Sequence, residues 1–134
     1  MVENKFFSKY IAASFSNYDI KVYSIAKGLE VVSKFGMKAI IESLAFNSFD
    51  EESYILYAGG QFGKCARWLI HKGSGEVAEM MDGVVGEKIV KFTKVTVLGK
   101  PAIFRISPEP EITYELDGKV KTSALSLPTI EVCT

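Results

Sequence analysis

The sequence has few of the side chains from which metal and nucleophile sites are built. It holds one histidine, His71, and two cysteines, Cys65 and Cys133, among 134 residues. A single histidine excludes a multi-histidine metal cluster. Two cysteines exclude a disulfide framework, so both are expected to be reduced, buried thiols. Carboxylates are spread along the chain with no spacing that singles out a general acid/base pair. The sequence therefore predicts no catalytic residues and no metal site, and it identifies no cofactor.

The sequence also lacks an excess of charge of either sign, and it lacks long apolar runs. The 16 basic and 16 acidic residues balance, which argues against a nucleic-acid-binding protein because these carry a basic excess. No apolar stretch reaches the roughly 18–20 residues that a membrane-spanning helix needs. The start, residues 1–5, does not have the layout of a secretory signal. We therefore expect a cytoplasmic protein that binds no nucleic acid and has no membrane-spanning segment.

Apolar residues make up 48% of the chain and aromatic residues 12%, enough for a core in a single domain covering residues 1–134. In the first part, apolar residues recur at steps of three and four, which is typical of amphipathic helices. This spacing predicts helices at 3–15, about 20–46, 54–72 and 76–82. No internal repeat is apparent.

From residue 88 the apolar period changes to two, which predicts antiparallel strands over about 88–133. A change of phase at Thr93-Lys94 suggests a β-bulge, and Asp117-Gly118 suggests a hairpin turn. Residues 129–134 are expected to form an edge strand. The predicted fold class is therefore α+β, with N-terminal helices, spanning about 3–82, packed on a C-terminal antiparallel sheet.

The glycine-rich stretch from Gly59 to Lys64 is the most distinctive local feature. It is not a phosphate-binding P-loop, because the glycine spacing differs and Cys65 stands where the metal-binding hydroxyl belongs. On a helix, Gly59, Gly60 and Gly63 would form a small-residue stripe that lets a backbone or a flat ligand approach closely. Trp68, the only tryptophan, is read either as a core anchor or as a wall of a binding cavity.

The run from Tyr54 to Ala66 resembles a helix of the 4-vinyl reductase domain family, which belongs with small α+β subunits of vesicle-tethering complexes. The matching features are a run of apolar and aromatic residues followed by Gly59, Gly63 and the basic Lys64. The resemblance covers roughly residues 53–107. The family's closing run of glutamate, cysteine and glycine is met only by Glu131 and Cys133, so its thiol or metal chemistry is not carried over. The resemblance implies a small-molecule-binding or assembly module, commonly dimeric, with an apolar cavity between helices and sheet.

Two functions are predicted. The first is non-catalytic binding of an apolar or aromatic small molecule in a cavity between helices and sheet. The second is a protein–protein assembly or adaptor role, with a homodimer as the expected state. An enzyme is expected only if Cys65 is a low-pKa thiol. The candidate ligand-binding residues are Tyr57, Gly59, Phe62, Gly63, Lys64, Cys65, Arg67, Trp68, Leu69, Phe92 and Phe104.

Overall fold

Strands, and not helices, make up the chain in the computed structural model, which describes residues 3–7, 9–84, 88–97, 99–107, 110–116 and 119–124. One short 3-10 helix, Gln61–Gly63, interrupts the strands. The strands are β1 (Glu3–Phe7), β2 (Tyr10–Ser14), β3 (Asp19–Ser24), β4 (Glu30–Gly36), β5 (Ile41–Ser48), β6 (Ser53–Gly60), β7 (Lys64–His71), β8 (Val77–Val84), β9 (Lys91–Val97), β10 (Lys100–Ile106), β11 (Glu111–Leu116) and β12 (Lys119–Ala124).

The strands form three four-stranded antiparallel sheets. The first sheet has the order β1-β2-β3-β4, the second β5-β6-β7-β8 and the third β9-β10-β11-β12. Each sheet is a meander, in which every strand pairs with the next along the chain. The first strands of successive sheets are neighbours, since β1 lies beside β5 and β5 beside β9. This is the layout of successive blades in a β-propeller.

The second sheet is the middle layer, and both of its faces are covered. Side chains alternate between the faces of a strand, so Leu56 and Ala58 face the first sheet while Ile55 and Tyr57 face the third. The first core cluster joins the first and second sheets and includes Tyr10, Ala12, Ile20, Val22, Leu44, Leu56, Trp68 and Ile70. The second joins the second and third sheets and consists of Ala45, Ile55, Tyr57 and Ile103, with Phe49, Leu69 and Phe92 packed against it.

The predicted α+β fold with N-terminal helices is wrong, because the described parts of residues 3–82 consist of strands, the turns that join them and one 3-10 helix. A strand that is covered on both faces has no polar side to alternate with its apolar side. In β6, all six residues from Ile55 to Gly60 are buried. Their run of apolar residues therefore lacks a period of two and matches helical spacing by accident.

The prediction of strands in the last third of the chain is confirmed as far as that part is described, by β9 to β12. The bulge predicted at Thr93-Lys94 is wrong, because the pairing of β9 with β10 runs through both residues without a shift. Register shifts occur instead in the first two sheets, as between Val22 and Tyr23 and between Leu69 and Ile70. The Asp117-Gly118 turn and the edge strand at 129–134, with Glu131 and Cys133, lie outside the described residues.

The first two sheets contain a repeated unit. Residues 10–28 align with residues 55–73 without a gap, and the two hairpins keep the same register. Ile11 pairs with Tyr23 in the first sheet, and their counterparts Leu56 and Trp68 pair in the second. The turn residue Tyr18, with a φ of 72°, corresponds to Gly63, with a φ of 73°. The two hairpins therefore share their strand register and one left-handed turn position, although the second turn also has a positive φ at Phe62.

Candidate functional site

The glycine pair Gly59-Gly60 lies where the two linkers between sheets cross the end of β6. A Cβ atom on Gly59 would overlap the carbonyl oxygen of Val90, and one on Gly60 would lie 2.6 Å from that of Ile40. The amide of Val90 donates to the oxygen of Gly60 at 3.0 Å. The small residues therefore allow close backbone approach, as predicted, but what approaches is the chain itself.

Four of the predicted site residues come together between the second and third sheets. Tyr57, on β6, and Phe92, on β9, have ring centroids 5.3 Å apart, and Leu69 packs in the same cluster. Arg67 pairs with Tyr57 across β6 and β7, and its guanidinium donates to the Tyr57 hydroxyl. The other side of the guanidinium reaches the Met81 sulfur at 3.1 Å. This cleft therefore combines apolar rings with the guanidinium of Arg67.

Polar contacts hold the third sheet in place over this cleft. The Ser43 hydroxyl donates to the carbonyl of Phe92 at 2.9 Å and accepts from the amide of Phe92 at 3.0 Å. Arg105 and Glu111 form an ion pair at 3.3 Å, with 15% and 27% of their side chains exposed. One hydroxyl thus satisfies both backbone groups of an edge-strand residue that β10 leaves unpaired.

The cavity in this cleft is small. Its volume is about 10 Å³, and Asn47, Phe49, Ile55, Tyr57 and Thr113 are among the residues lining it. A space of this size holds about one water molecule, whereas pockets for small organic ligands measure roughly 300–1,000 Å³. The space beside Tyr57 and Ile55 therefore has little room for an organic molecule.

Burial of Tyr57 gives a prediction for alkaline pH. Desolvation raises the pKa of its hydroxyl to about 12, although the charge of Arg67 and its hydrogen bond act in the opposite direction. The folded protein therefore keeps this proton to a higher pH than the unfolded chain, whose tyrosines titrate near 10. The contribution to stability is complete below about pH 10 and is lost as the pH rises through about 12. We expect the free energy of unfolding to fall by roughly 2–3 kcal/mol over this window.

Chemical denaturation at several pH values between 8 and 12 measures this fall. In the variant Tyr57→Phe, the free energy of unfolding should not show the fall that Tyr57 causes. The variant Tyr18→Phe alters a tyrosine that is 49% exposed and should show the same fall as the wild type. An equal alkaline loss in the wild type and in Tyr57→Phe would refute the assignment to Tyr57.

The remaining predicted site residues are dispersed. Trp68 points to the opposite face of the second sheet, where its ring centroid is 4.9 Å from that of Phe35. Phe62 is 71% exposed, Gly63 forms the tight turn beside it, and the Lys64 ammonium donates to the Lys38 carbonyl. Cys65 is half-buried, with its sulfur 3.8 Å from the Gly83 oxygen. Phe104 is buried on β10 but points away from Ile103, which faces the cleft.

A second candidate site is the solvent-facing side of the first sheet, which we call the outer face. It includes the residues that alternate with the core-facing ones and are not buried: Ile11, Lys21, Tyr23 and Val31. Ile11, Tyr23 and Val31 are paired in register across three strands, so they form one apolar row. Val31 is 44% exposed, and beside the row Ile25 and Leu29 are 39% and 56% exposed.

Ile11 and Tyr23 of the outer face, and Ile25 beside it, have buried counterparts in the second sheet. Ile11 corresponds to Leu56, Tyr23 to Trp68 and Ile25 to Ile70. These counterparts are 0%, 2% and 0% exposed, because the first sheet covers them. Ile11 and Tyr23 are only half-buried. The outer face therefore carries apolar side chains that are less covered than their counterparts.

A scan of the sequence against models of known protein families gives no match, and a search of curated proteins finds no significantly similar sequence. The resemblance to the 4-vinyl reductase domain family stays a prediction. Its quoted residues lie on β6, the 3-10 turn and β7.

In the described part of the chain, no cluster of three or more His, Cys, Asp or Glu side chains is placed to hold a metal ion. That part also contains no helix of the length and apolarity needed to cross a membrane.

The sequence reasoning missed Tyr23 and the rest of the outer face. One signal was available, because the repeat is visible once residues 10–28 are set against residues 55–73. Ala13 then matches Ala58, Ile25 matches Ile70, and Lys27-Gly28 matches Lys72-Gly73. The signal is weak because the other matches are only chemically similar, as with Tyr23 and Trp68.

Proposed function

We propose that this protein is an assembly module that associates with a protein partner, in the first instance a second copy of itself, through the outer face. The observation that carries the proposal is that Ile11 and Tyr23 are only half-buried, whereas their counterparts Leu56 and Trp68 are 0% and 2% exposed. The same positions are buried under a neighbouring sheet in one repeat and are partly open in the other. Contiguous exposed apolar surface of this kind is typical of interaction sites.

The arrangement of charge around the outer face supports the same function. Lys34, opposite Lys21 in the pairing of β3 with β4, forms an ion pair with Asp19 at 3.4 Å, and its side chain is 62% exposed. The Lys21 ammonium lies 5.2 Å from the Phe15 ring centroid. An apolar row with charged side chains at its border has the anatomy of a protein interface, in which an apolar core is surrounded by a polar rim.

Binding of an apolar small molecule stays a prediction of the sequence, as does a cytoplasmic location.

The assembly proposal is tested by sedimentation of three proteins. The wild type is expected to associate, and Tyr23→Glu should weaken association on the order of 100-fold, since it places a charge at the centre of the interface. Phe62→Glu is the matched control, because it puts the same charge on an aromatic residue that is exposed but lies outside the outer face. Equal association of Tyr23→Glu and the wild type would contradict a role for the outer face.

A further inference from the structure

We infer that one end of the first two sheets docks on the surface of an anionic lipid membrane, with apolar side chains inserted into the lipid and lysines against the headgroups. We call this region the turn end. It consists of three exposed apolar residues and three lysines: Tyr18, Phe62, Ile89, Lys38, Lys64 and Lys88. Docking of the turn end is independent of the outer face and of self-association.

The turns and linkers of the turn end lie against one another. The carbonyl oxygen of Tyr18, on the β2–β3 turn, would overlap a Cβ atom on Gly36. The linker that follows Gly36 reaches the second sheet, where the oxygen of Ile40 accepts from the amide of Gln61 at 3.3 Å. The amide of Val90, in the linker to the third sheet, donates at 3.0 Å to the residue before Gln61. Each exposed apolar residue adjoins one of these contacts, so the three belong to one surface.

Apolar exposure at the turn end is high. Phe62 is 71% exposed, Tyr18 49% and Ile89 45%. Tyr18 and Phe62 have φ values of 72° and 59°, a left-handed conformation that is unusual for bulky residues. Neither ring belongs to the core clusters that the described residues form. Unusual backbone conformations of this kind are concentrated at binding sites, and here they hold two aromatic rings in contact with solvent.

Lysines give the turn end a positive charge. The Lys64 ammonium donates to the carbonyl oxygen of Lys38 at 3.1 Å, so these two lysines are neighbours. Lys88, next to Ile89 in the chain, is exposed, as is Lys38. In the part of the chain that the structure describes, none of the three lysines is in an ion pair. The carboxylate of Glu42 lies at the same end but accepts from a side-chain amide of the 3-10 helix at 3.2 Å.

An open groove of about 500 Å³ lies beside Tyr18, and Lys34, Met37 and Lys38 are among the residues lining it. Lys34 is paired there with Asp19 at 3.4 Å, so Lys38 supplies the unmatched charge. The volume is within the roughly 300–1,000 Å³ of small-molecule pockets. The groove therefore has room for a lipid headgroup between an aromatic ring and a lysine.

An anionic membrane fits this combination of residues better than a nucleic acid does. Tyrosine is enriched at the boundary between lipid and water, and each lysine near an anionic membrane strengthens binding by about fivefold. Ile89 has no ring on which a base could stack, whereas an aliphatic side chain buries apolar surface in lipid as well as an aromatic one. The balance of 16 basic and 16 acidic residues also lacks the excess typical of nucleic-acid-binding proteins.

Co-sedimentation with vesicles tests the role of the lysines. The wild type is expected to bind vesicles of phosphatidylcholine and phosphatidylserine mixed at about two to one, and to bind phosphatidylcholine alone far more weakly. Lys38→Glu should lower the affinity for the anionic vesicles on the order of 10-fold. Lys27→Glu is the matched control, because Lys27 is also exposed on a turn but lies at the opposite end of the first sheet. It should bind like the wild type.

Substitutions at Phe62 test the insertion of apolar side chains. Phe62→Ala should lower the affinity on the order of 10-fold, because the ring no longer contributes apolar surface. Phe62→Trp should bind like the wild type, since tryptophan is also favoured at the lipid boundary. Its emission should shift to shorter wavelength when vesicles are added, while the native Trp68, which is 2% exposed, gives a constant background.

Several results would overturn the docking. A wild type that leaves anionic vesicles unbound at low salt refutes it, and binding of a single-stranded DNA under the same conditions would then identify a nucleic acid as the partner. Equal losses in Lys38→Glu and Lys27→Glu, or an unshifted emission from vesicle-bound Phe62→Trp, would show that the turn end is not the contact surface. Displacement by soluble glycerophosphoserine would show recognition of the headgroup alone and would refute docking on a membrane.

Discussion

Replacing Trp68 with alanine is expected to lower the free energy of unfolding by about 3–5 kcal/mol, the usual range for a large buried aromatic side chain. Trp68 is 2% exposed and packs on Phe35 of the first sheet at a centroid distance of 4.9 Å. Its loss leaves a cavity in the cluster that joins the first two sheets. Since small domains are stable by only about 5–15 kcal/mol, a loss of this size removes a large part of the total.

Chemical denaturation of Trp68→Ala beside Phe62→Ala measures this effect. Phe62→Ala removes an aromatic ring that is 71% exposed and should change stability by no more than about 0.5 kcal/mol. If the two substitutions lower the free energy of unfolding by the same amount, Trp68 does not occupy the core between the first and second sheets.

Substituting Gly59 with alanine is expected to give the second largest loss, about 3 kcal/mol, at the upper end of the range for overpacking. The added methyl group would overlap the Val90 carbonyl oxygen. This contact involves backbone, which cannot rotate away as a side chain can. The linker at Val90 must therefore shift, which weakens its 3.0 Å hydrogen bond to Gly60 and displaces the third sheet from the second.

Gly83→Ala is the control for Gly59→Ala, because a Cβ atom at Gly83 has no neighbour within 4 Å. It should be neutral or slightly stabilising, since alanine loses less conformational entropy than glycine on folding. Thermal unfolding of both variants gives the comparison. A Gly59→Ala protein as stable as Gly83→Ala would show that the linker does not cross β6 at this point.

The sequence predicted the third sheet better than the first two, because a period of two is visible in part of it. In β11, Glu111, Thr113 and Glu115 alternate with Ile112, Tyr114 and Leu116. In β6 both faces are covered, and the apolar run around Leu56 and Tyr57 carries no period. Local spacing cannot distinguish such a strand from a buried helix, because the difference depends on which other sheets cover it.

The candidate site was predicted only in part for a related reason. The cluster of Tyr57, Arg67, Leu69 and Phe92 was anticipated, and the structure brings these four residues together. Trp68 was assigned to the same cluster because both it and Arg67 lie near the end of the helix predicted over 54–72. Adjacent residues of a helix lie about 100° apart, but adjacent residues of a strand point to opposite faces. The error in secondary structure therefore placed Trp68 on the wrong side of its sheet.

The most direct test of the outer face as an interface is the mass of the wild-type chain in solution over a range of concentrations, measured by light scattering. One chain has a mass of 14.8 kDa. The partly exposed row of Ile11, Tyr23 and Val31 predicts a particle of twice that mass, which dissociates on dilution. A mass of one chain at every concentration would contradict the interface, and with it the proposed assembly function.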